Sequence, residues 1–488
     1  MRRRSYPVAV LAVCLVLTGC SNSDNDEDSP PLIGPPEAPA ERGAPIGSPE
    51  RVDSFSPAEI LALFTGDTFE EIAVALSLAP RCSIDVYQIR YGSVGGWNEQ
   101  TESSGALMVP TGTDAACQGP RPVLVYAHGT EPERDFNIAA VTAEGNNEGV
   151  LIAAVFAGEG YIVVAPNYAG YDTSTLPYHP YLVADQQAAD MIDALTAARS
   201  VLPSLTSAVS DSGKLFITGY SQGGYVAMAT HRAMQAAGSV VTASGPMSGP
   251  YTLSAFGDAI FMGQVNLDAV LNLNLLIEGY QNTYGNLFTD PTEIFANPQA
   301  SEAVFSDMPP APEYAGITPP IQPVQFAQFF ARGFGPVNLI TNSYRLAYLR
   351  DAETAPDGGV PVLTDGLPPA NPTHPLRQAL KTNDLRNWVP TSPVLLCAGN
   401  SDPTVFFFNT ELMRAHWAAR DPTAPVTVLD VDSPVATDDP FAGIKESFAT
   451  VKDLVTVTEG ETGMLELYHA GLVPPFCLRA VKDFFDAL

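Results

Sequence analysis

Positive charge is what this chain lacks most. Its 488 residues include 24 lysines and arginines against 54 aspartates and glutamates, a net charge of −30. So acidic a surface repels phosphate backbones and anionic lipid, which excludes nucleic acid as a partner. The acidity itself is read as a solubility feature rather than a binding signal. Cysteine is scarce, six residues in all, and none stands in a Cys-x-x-Cys spacing, so neither a zinc site nor any other metal or cofactor is expected. Histidine is equally scarce, also six, which narrows any search for a catalytic base. What the chain has in quantity is apolar material, 45% of its residues. That is enough to bury a large core, and it excludes a wholly disordered, collagen-like or coiled-coil protein.

The N-terminus carries an address. Met1 to Arg4 is a basic opening, and Val8 to Leu17 is a ten-residue apolar stretch. Ten residues are too few to span a roughly 30 Å hydrocarbon core as a helix, so residues 1–19 are read as a signal peptide. The stretch ends Leu17-Thr18-Gly19-Cys20, which resembles the bacterial lipobox, in which the cysteine is acylated and becomes the first mature residue. Ser21 rather than Asp follows, which by the same resemblance favours the outer membrane. The expected location is the bacterial cell envelope, with the lipid anchor as the only membrane attachment. Residues 20–52, acidic and then rich in Pro and Gly, are expected to be a lipidated disordered linker. The acidic run from Asp24 to Asp28 lacks the spaced ligands and central Gly of a calcium loop.

Beyond the linker, strand and helix signals alternate. Ser56–Glu59 and Thr68–Glu71 are capping boxes ahead of apolar runs. Cys82 to Tyr91 and Ser104 to Val109 flank a turn-rich segment and read as a hairpin. Pro122 to Ala127, Tyr161 to Ala165, Lys214 to Gly219 and Val240 to Ala243 read as short buried strands, with Asp185 to Arg199 a helix between two of them. Strands return at Pro393 to Ala398 and Pro425 to Val431, and Val473 to Leu488 closes the chain as an amphipathic helix. The pattern predicts an α/β fold, a mostly parallel sheet covered by helices on both faces. Between them the sequence turns Pro-rich, aromatic and helical, with Leu271 to Tyr280 and Pro323 to Arg332 as candidate helices. Residues 53–250 and 391–488 are thus expected to form one core, interrupted by a helical cap at 251–390.

The strand from Lys214 runs into Gly219-Tyr220-Ser221-Gln222-Gly223, a G-x-S-x-G followed by a small-residue helix. Glycines on either side allow the strained turn that pushes a serine hydroxyl out at the carboxyl end of a sheet. A serine hydroxyl is a weak nucleophile and needs a base, itself oriented by an acid. In the order Ser, acid, His, four histidines follow Ser221. His231 lies in the next helix, His374 in the Pro-rich insertion and His416 in the helix-like stretch Thr410 to Arg420. His469 stands where a loop before the last helix can present it, and is the expected base. Asp402, just after the strand Pro393 to Ala398, is the expected acid, with Asp430, Asp432, Asp438 and Asp439 as rivals. Oxyanion donors are expected at the backbone N–H of Gln222, at the helix start, and of Thr130, in the His128-Gly129-Thr130 loop. His128 itself is read as a structural hydrogen-bonding residue.

These residues amount to a resemblance. From about residue 80 onward the chain resembles the α/β-hydrolases, and among them secretory lipases of the lipase A type. The resemblance is carried by G-Y-S-Q-G-G with its helix, by A-S-G-P-M-S-G-P-Y-T-L-S, and by the closing H-A-G-L-V-P-P-F-C-L-R-A-V-K-D-F-F-D. It implies a helical cap over the active site, carboxylic esters (small molecules or lipids) as substrates, and Ser221, Asp402 and His469 as nucleophile, acid and base. The H-G-T loop and the lipid anchor depart from that family and make ester hydrolysis a firmer expectation than long-chain lipase activity. Phe256, Ile260, Phe261 and Met262 either line an acyl pocket or pack the cap's own core. Rival functions are a serine peptidase of the same fold and an inactive surface-binding lipoprotein. The first would call for a propeller-length N-terminal domain and a Glu pair, neither of which is evident. The intact order Ser, Asp, His speaks against the second.

In an oxidising compartment four cysteines remain after Cys14 is removed and Cys20 lipidated. Cys82 opens the first hairpin strand and Cys117 lies just past the second, so these two are expected to pair. Cys397 and Cys477 flank the acid and the base, whose side chains must meet, so a second bond is expected there, the alternative being that Cys397 is a buried apolar thiol. Nothing in the sequence sets an oligomeric state.

Overall fold

A computed structural model describes residues 40–64, 72, 74, 76–142, 147–296, 333–334 and 339–488. The signal peptide, Cys20, the Thr68–Glu71 capping box and the candidate helix Pro323 to Arg332 lie outside them. In chain order the elements are β1 (Glu50–Phe55), α1 (Pro57–Ala62), β2 (Ser83–Val94), β3 (Gln100–Thr111), β4 (Gly119–Ala127), α2 (Asn147–Val155), β5 (Ile162–Pro166), α3 (Ala184–Leu205), β6 (Val209–Tyr220), α4 (Gln222–Ala236) and β7 (Ala243–Met247). The chain then runs through α5 (Leu253–Met262), α6 (Ala269–Tyr284), α7 (Asn342–Thr354) and α8 (Pro375–Asn383). It closes with β8 (Val394–Ala398), α9 (Phe408–Arg420), β9 (Val426–Asp430), α10 (Ala442–Leu467) and α11 (Val473–Asp486).

One nine-stranded sheet, in the order β1-β2-β3-β5-β4-β6-β7-β8-β9, organises the fold. From β5 to β9 the neighbours are parallel, whereas β1, β2, β3 and β5 pair antiparallel. β5, β7, β8 and the later halves of β4 and β6 are buried on both faces, and period-2 alternation sorts their side chains into two cores. Along β4, Val123, Val125 and Ala127 join the core that contains α3 and α4 residues. Leu124 and Tyr126 join the opposite one, with Ile60, residues of α2, and Phe476, Leu478 and Val481 of α11.

Three details differ from the sequence expectation. Residues 40–52 are not wholly linker: Gly43 N–H donates to Gly92 O at 2.8 Å, Ile46 N–H to Arg90 O at 2.8 Å, and β1 pairs antiparallel with β2. An edge strand offers a row of free backbone groups, and composition alone does not reveal that a Pro- and Gly-rich segment will take them. The predicted strand Val240 to Ala243 forms instead at Ala243–Met247, leaving Val240 81% exposed. Finally, His469 is not on a loop but in a π-helical turn, Tyr468–Leu472, between α10 and α11.

Two disulfides are present. Cys82–Cys117 has its Cα atoms 5.5 Å apart, and Cys397–Cys477, at 5.6 Å, ties the end of β8 to α11. Cys397 is therefore bonded rather than a free thiol. Within 251–390, Arg377 of α8 reaches Asp258 of α5 and Asp351 of α7, each at 2.7 Å. All three side chains are nearly fully buried, so the guanidinium fixes how those helices meet. Arg386 pairs in the same way with Asp357 and Asp384.

Candidate active site

β6 delivers the chain to Ser221 in a backbone conformation, φ 59° and ψ −120°, that L-residues rarely adopt and that costs about 1–3 kcal/mol. The turn is possible because both flanking glycines touch backbone. A Cβ on Gly219 would lie 2.4 Å from Ala127 O, and one on Gly223 only 1.9 Å from the same atom. Ser221 thus sits at the carboxyl end of a central parallel strand and at the start of α4.

The end of β8 and the turn between α10 and α11 bring two further residues to it. His469 Nε2 is 2.8 Å from Ser221 Oγ, and its Nδ1 is 2.7 Å from Asp402 Oδ2. The other oxygen of Asp402 accepts the N–H groups of Thr404 and Val405, both at 2.9 Å. A carboxylate so held keeps a proton on Nδ1 and leaves Nε2 free to accept one. Burial alone would lower the proton affinity of His469. The charge and hydrogen bond of Asp402 outweigh it, Asp268 adds to them, and the imidazole pKa ends above its ordinary 6.5.

The other histidines have different partners. His231 Nδ1 meets Ser244 Oγ at 2.8 Å. His416 Nδ1 accepts from Arg420 at 2.8 Å, and burial with that guanidinium pushes its pKa down to about 4. His374 packs edge-on against Tyr344 and Tyr348. His128 is buried between Gly129 O at 2.7 Å and Asn167 O at 3.1 Å and stacks on Tyr168. Burial depresses its pKa to about 4, in keeping with a structural role. Among the rival acids, Asp430 holds Asn400, Asp432 takes Lys452, Tyr468 and Ser401, and Asp439 pairs with Lys445.

The loop after β4 lies against the turn: a Cβ on Gly223 would come 2.7 Å from His128 O. Thr130 Oγ1 is hydrogen-bonded to Tyr181 OH at 2.8 Å, and Tyr181 lines the same cleft as Ser221 and Gln222. Glu148 accepts the Gly129 N–H at 2.9 Å, and burial lifts its carboxyl to about 8 despite that bond. The Gln222 side chain reaches His179, its Nε2 2.7 Å from His179 Nε2. His179 Nδ1 faces Ala169 O at 2.9 Å, which sets the tautomer so that Nε2 accepts. Sequence reasoning missed Glu148, His179 and Tyr220, whose hydroxyl donates to His469 O at 2.6 Å. Of these only Tyr220 carried a positional signal, standing beside the serine within the motif.

A cleft opens from Ser221 between α5, α6 and α8. Phe256, Ile260, Phe261, Leu273, Leu276 and Leu380 are among its walls. Met262 is not one of the cleft-lining residues; it is 36% exposed. Among the described residues no group of three or more His, Cys, Asp or Glu is placed to hold a metal ion.

The prolyl oligopeptidase family model matches residues 150–255, the segment that contains the serine turn. The chain is similar to the rice cell wall degrading esterase LipA from Xanthomonas oryzae, at 26% identity over 91% of this chain and 98% of that one, with a TM-score of 0.67. A putative hydrolase from Legionella pneumophila matches over 91% and 98% at 19% identity and TM-score 0.64. Candida antarctica lipase A matches over 86% and 82% at 14% identity and TM-score 0.51. Among curated proteins none matches. With the sheet and its serine turn, these likenesses make the chain an α/β-hydrolase. Within that class it stands with the serine esterases.

Proposed function

We propose that this protein hydrolyses carboxylic esters by an acyl-enzyme mechanism, with Ser221 as nucleophile, His469 as base and Asp402 as the acid that orients it. The observation that carries the reading is the unbroken relay from Ser221 Oγ to His469 Nε2 and from Nδ1 to Asp402, at 2.8 and 2.7 Å. His469 takes the hydroxyl proton as Ser221 attacks the ester carbonyl carbon. The resulting oxyanion is held by the Gln222 and Thr130 N–H groups, and the imidazolium returns the proton to the departing alcohol. Water then repeats the sequence on the acyl-enzyme and releases the acid. The apolar cleft supports a substrate with a hydrocarbon acyl or alcohol part. Residues 251–390, which supply most of its walls, act as the cap.

The disulfides belong with an oxidising compartment, and the chain is an extracellular or envelope protein. Attachment to the outer membrane through Cys20 is part of the proposal. Hydrolysis of p-nitrophenyl esters of increasing acyl length, set against the matching anilides and prolyl amides, tests the reaction class. Esters should be cleaved at least a hundredfold faster. Faster cleavage of the amides would replace this reading with the peptidase one, for which the family match to residues 150–255 is the supporting observation.

A further inference from the structure

Two carboxylates, not one, meet at Thr404 beside His469. Asp402 takes the Nδ1 hydrogen bond. The second, Asp268, is the residue ahead of α6, and an aspartate there ordinarily caps its own helix by accepting an N–H of the first turn. Asp268 makes no such bond. Its Oδ2 instead accepts from Thr404 Oγ1 at 2.8 Å, forgoing the cap. The segment around it is fastened to the same loop, with Leu267 N–H donating to Pro403 O at 3.1 Å and Asn266 Nδ2 to Thr404 O at 2.7 Å. Because Thr404 also donates its N–H to Asp402, one residue holds both acids. We propose that Asp268 is a positioning residue of the reaction: a second anion, set by Thr404, that stabilises the imidazolium formed on His469. This rests on His469 being the base.

The charges of Asp268 and His469 act on each other in both directions. Burial pushes the Asp268 carboxyl up while the Thr404 bond and the imidazole pull it back, and Asp268 in turn favours the proton on His469. The groups that face His469 are Ser221, Asp402, Asp268 and Tyr220. Those that act on Asp268 are Thr404, His469 and Asp402, and Tyr181 feels its charge. Lys452, over the ring of neighbouring Tyr468, is paired with Asp432. No cation in this set competes for Asp268. Replacing the anion by a neutral amide then has two effects of opposite sense. The transition-state imidazolium loses support, so the plateau rate falls. The resting imidazole becomes harder to protonate, so activity survives to lower pH. A residue that only held the helix start would produce the first effect without the second.

The test is the pH dependence of kcat/KM for a short p-nitrophenyl ester in the wild type, Asp268→Asn, Asp268→Glu and Thr404→Val. Asp268→Asn should move the acid limb down by roughly half a unit to one unit and lower the plateau by roughly three- to tenfold, the same free energy read twice. Thr404→Val should shift the limb the same way by less, and Asp268→Glu should restore most of the wild-type midpoint. The midpoint is a property of the active fraction, so partial misfolding lowers the amplitude without moving it. An unmoved or raised midpoint in Asp268→Asn overturns the assignment. A wild type with no acid limb, or a limb that persists in His469→Ala, removes the base assignment instead, and this inference with it.

Discussion

Replacing Cys397 and Cys477 together by alanine should cost the protein stability without costing it chemistry. The bond closes a loop of 80 residues. Leaving that loop open returns about 15 cal/mol/K to the unfolded chain, roughly 4.5 kcal/mol at 25 °C in the chain-entropy model. Unfolding entropy of about 2.1 cal/mol/K per residue, over the roughly 400 described residues, converts this into a fall in Tm of roughly 5 °C. Catalytic geometry has other supports. Tyr220 OH holds His469 O at 2.6 Å, and Tyr468 OH joins Asp432 at 2.7 Å to Ser401 N–H at 3.3 Å. Below the transition kcat/KM should therefore stay within about twofold of wild type. Calorimetry of both proteins, with peptide mapping under non-reducing conditions, checks the argument. An unchanged Tm, or free thiols at both positions in the wild type, would refute it.

Other consequences can be checked in the same preparations. His469→Ala should lower ester hydrolysis about as much as Ser221→Ala, by a factor of a thousand or more, and Asp402→Asn somewhat less; a His416→Ala variant more damaged than His469→Ala would reverse the choice of base. Since only neutral His469 accepts a proton and its pKa is raised above 6.5, kcat/KM should fall on acidification with a midpoint above about pH 6.5; a rate flat from about pH 8 to pH 5 contradicts a histidine base. Cys20→Ser should move the protein from the membrane fraction to the soluble one, and continued membrane association in a detergent partition assay would count against the lipobox reading.

Legibility followed distance along the chain. The strand, tight turn and helix around Ser221 were readable because glycine spacing and apolar runs are local signals, and the place of Asp402 just after a late strand was readable in the same way. The sheet order, with β5 lying between β3 and β4, was not, because crossovers leave no mark in periodicity. The contacts of residues 40–52 with β2 were hidden for the same reason: backbone pairing needs no side-chain pattern. Ala470-Gly471 ahead of the last helix suggests a loop at His469, yet the chain there keeps a helical path through a π turn. Asp268 carried no signal of its own, since its partner Thr404 lies 136 residues away.

Fluorophosphonate labelling tests the central claim most directly. The wild type should take up one label, located by peptide mass spectrometry on Ser221. Uptake should be absent in Ser221→Ala and slowed at least a hundredfold in His469→Ala, while ester turnover is lost in parallel with the label. A label on a different serine, or ester hydrolysis that continues in Ser221→Ala at more than about a hundredth of the wild-type rate, would contradict the account.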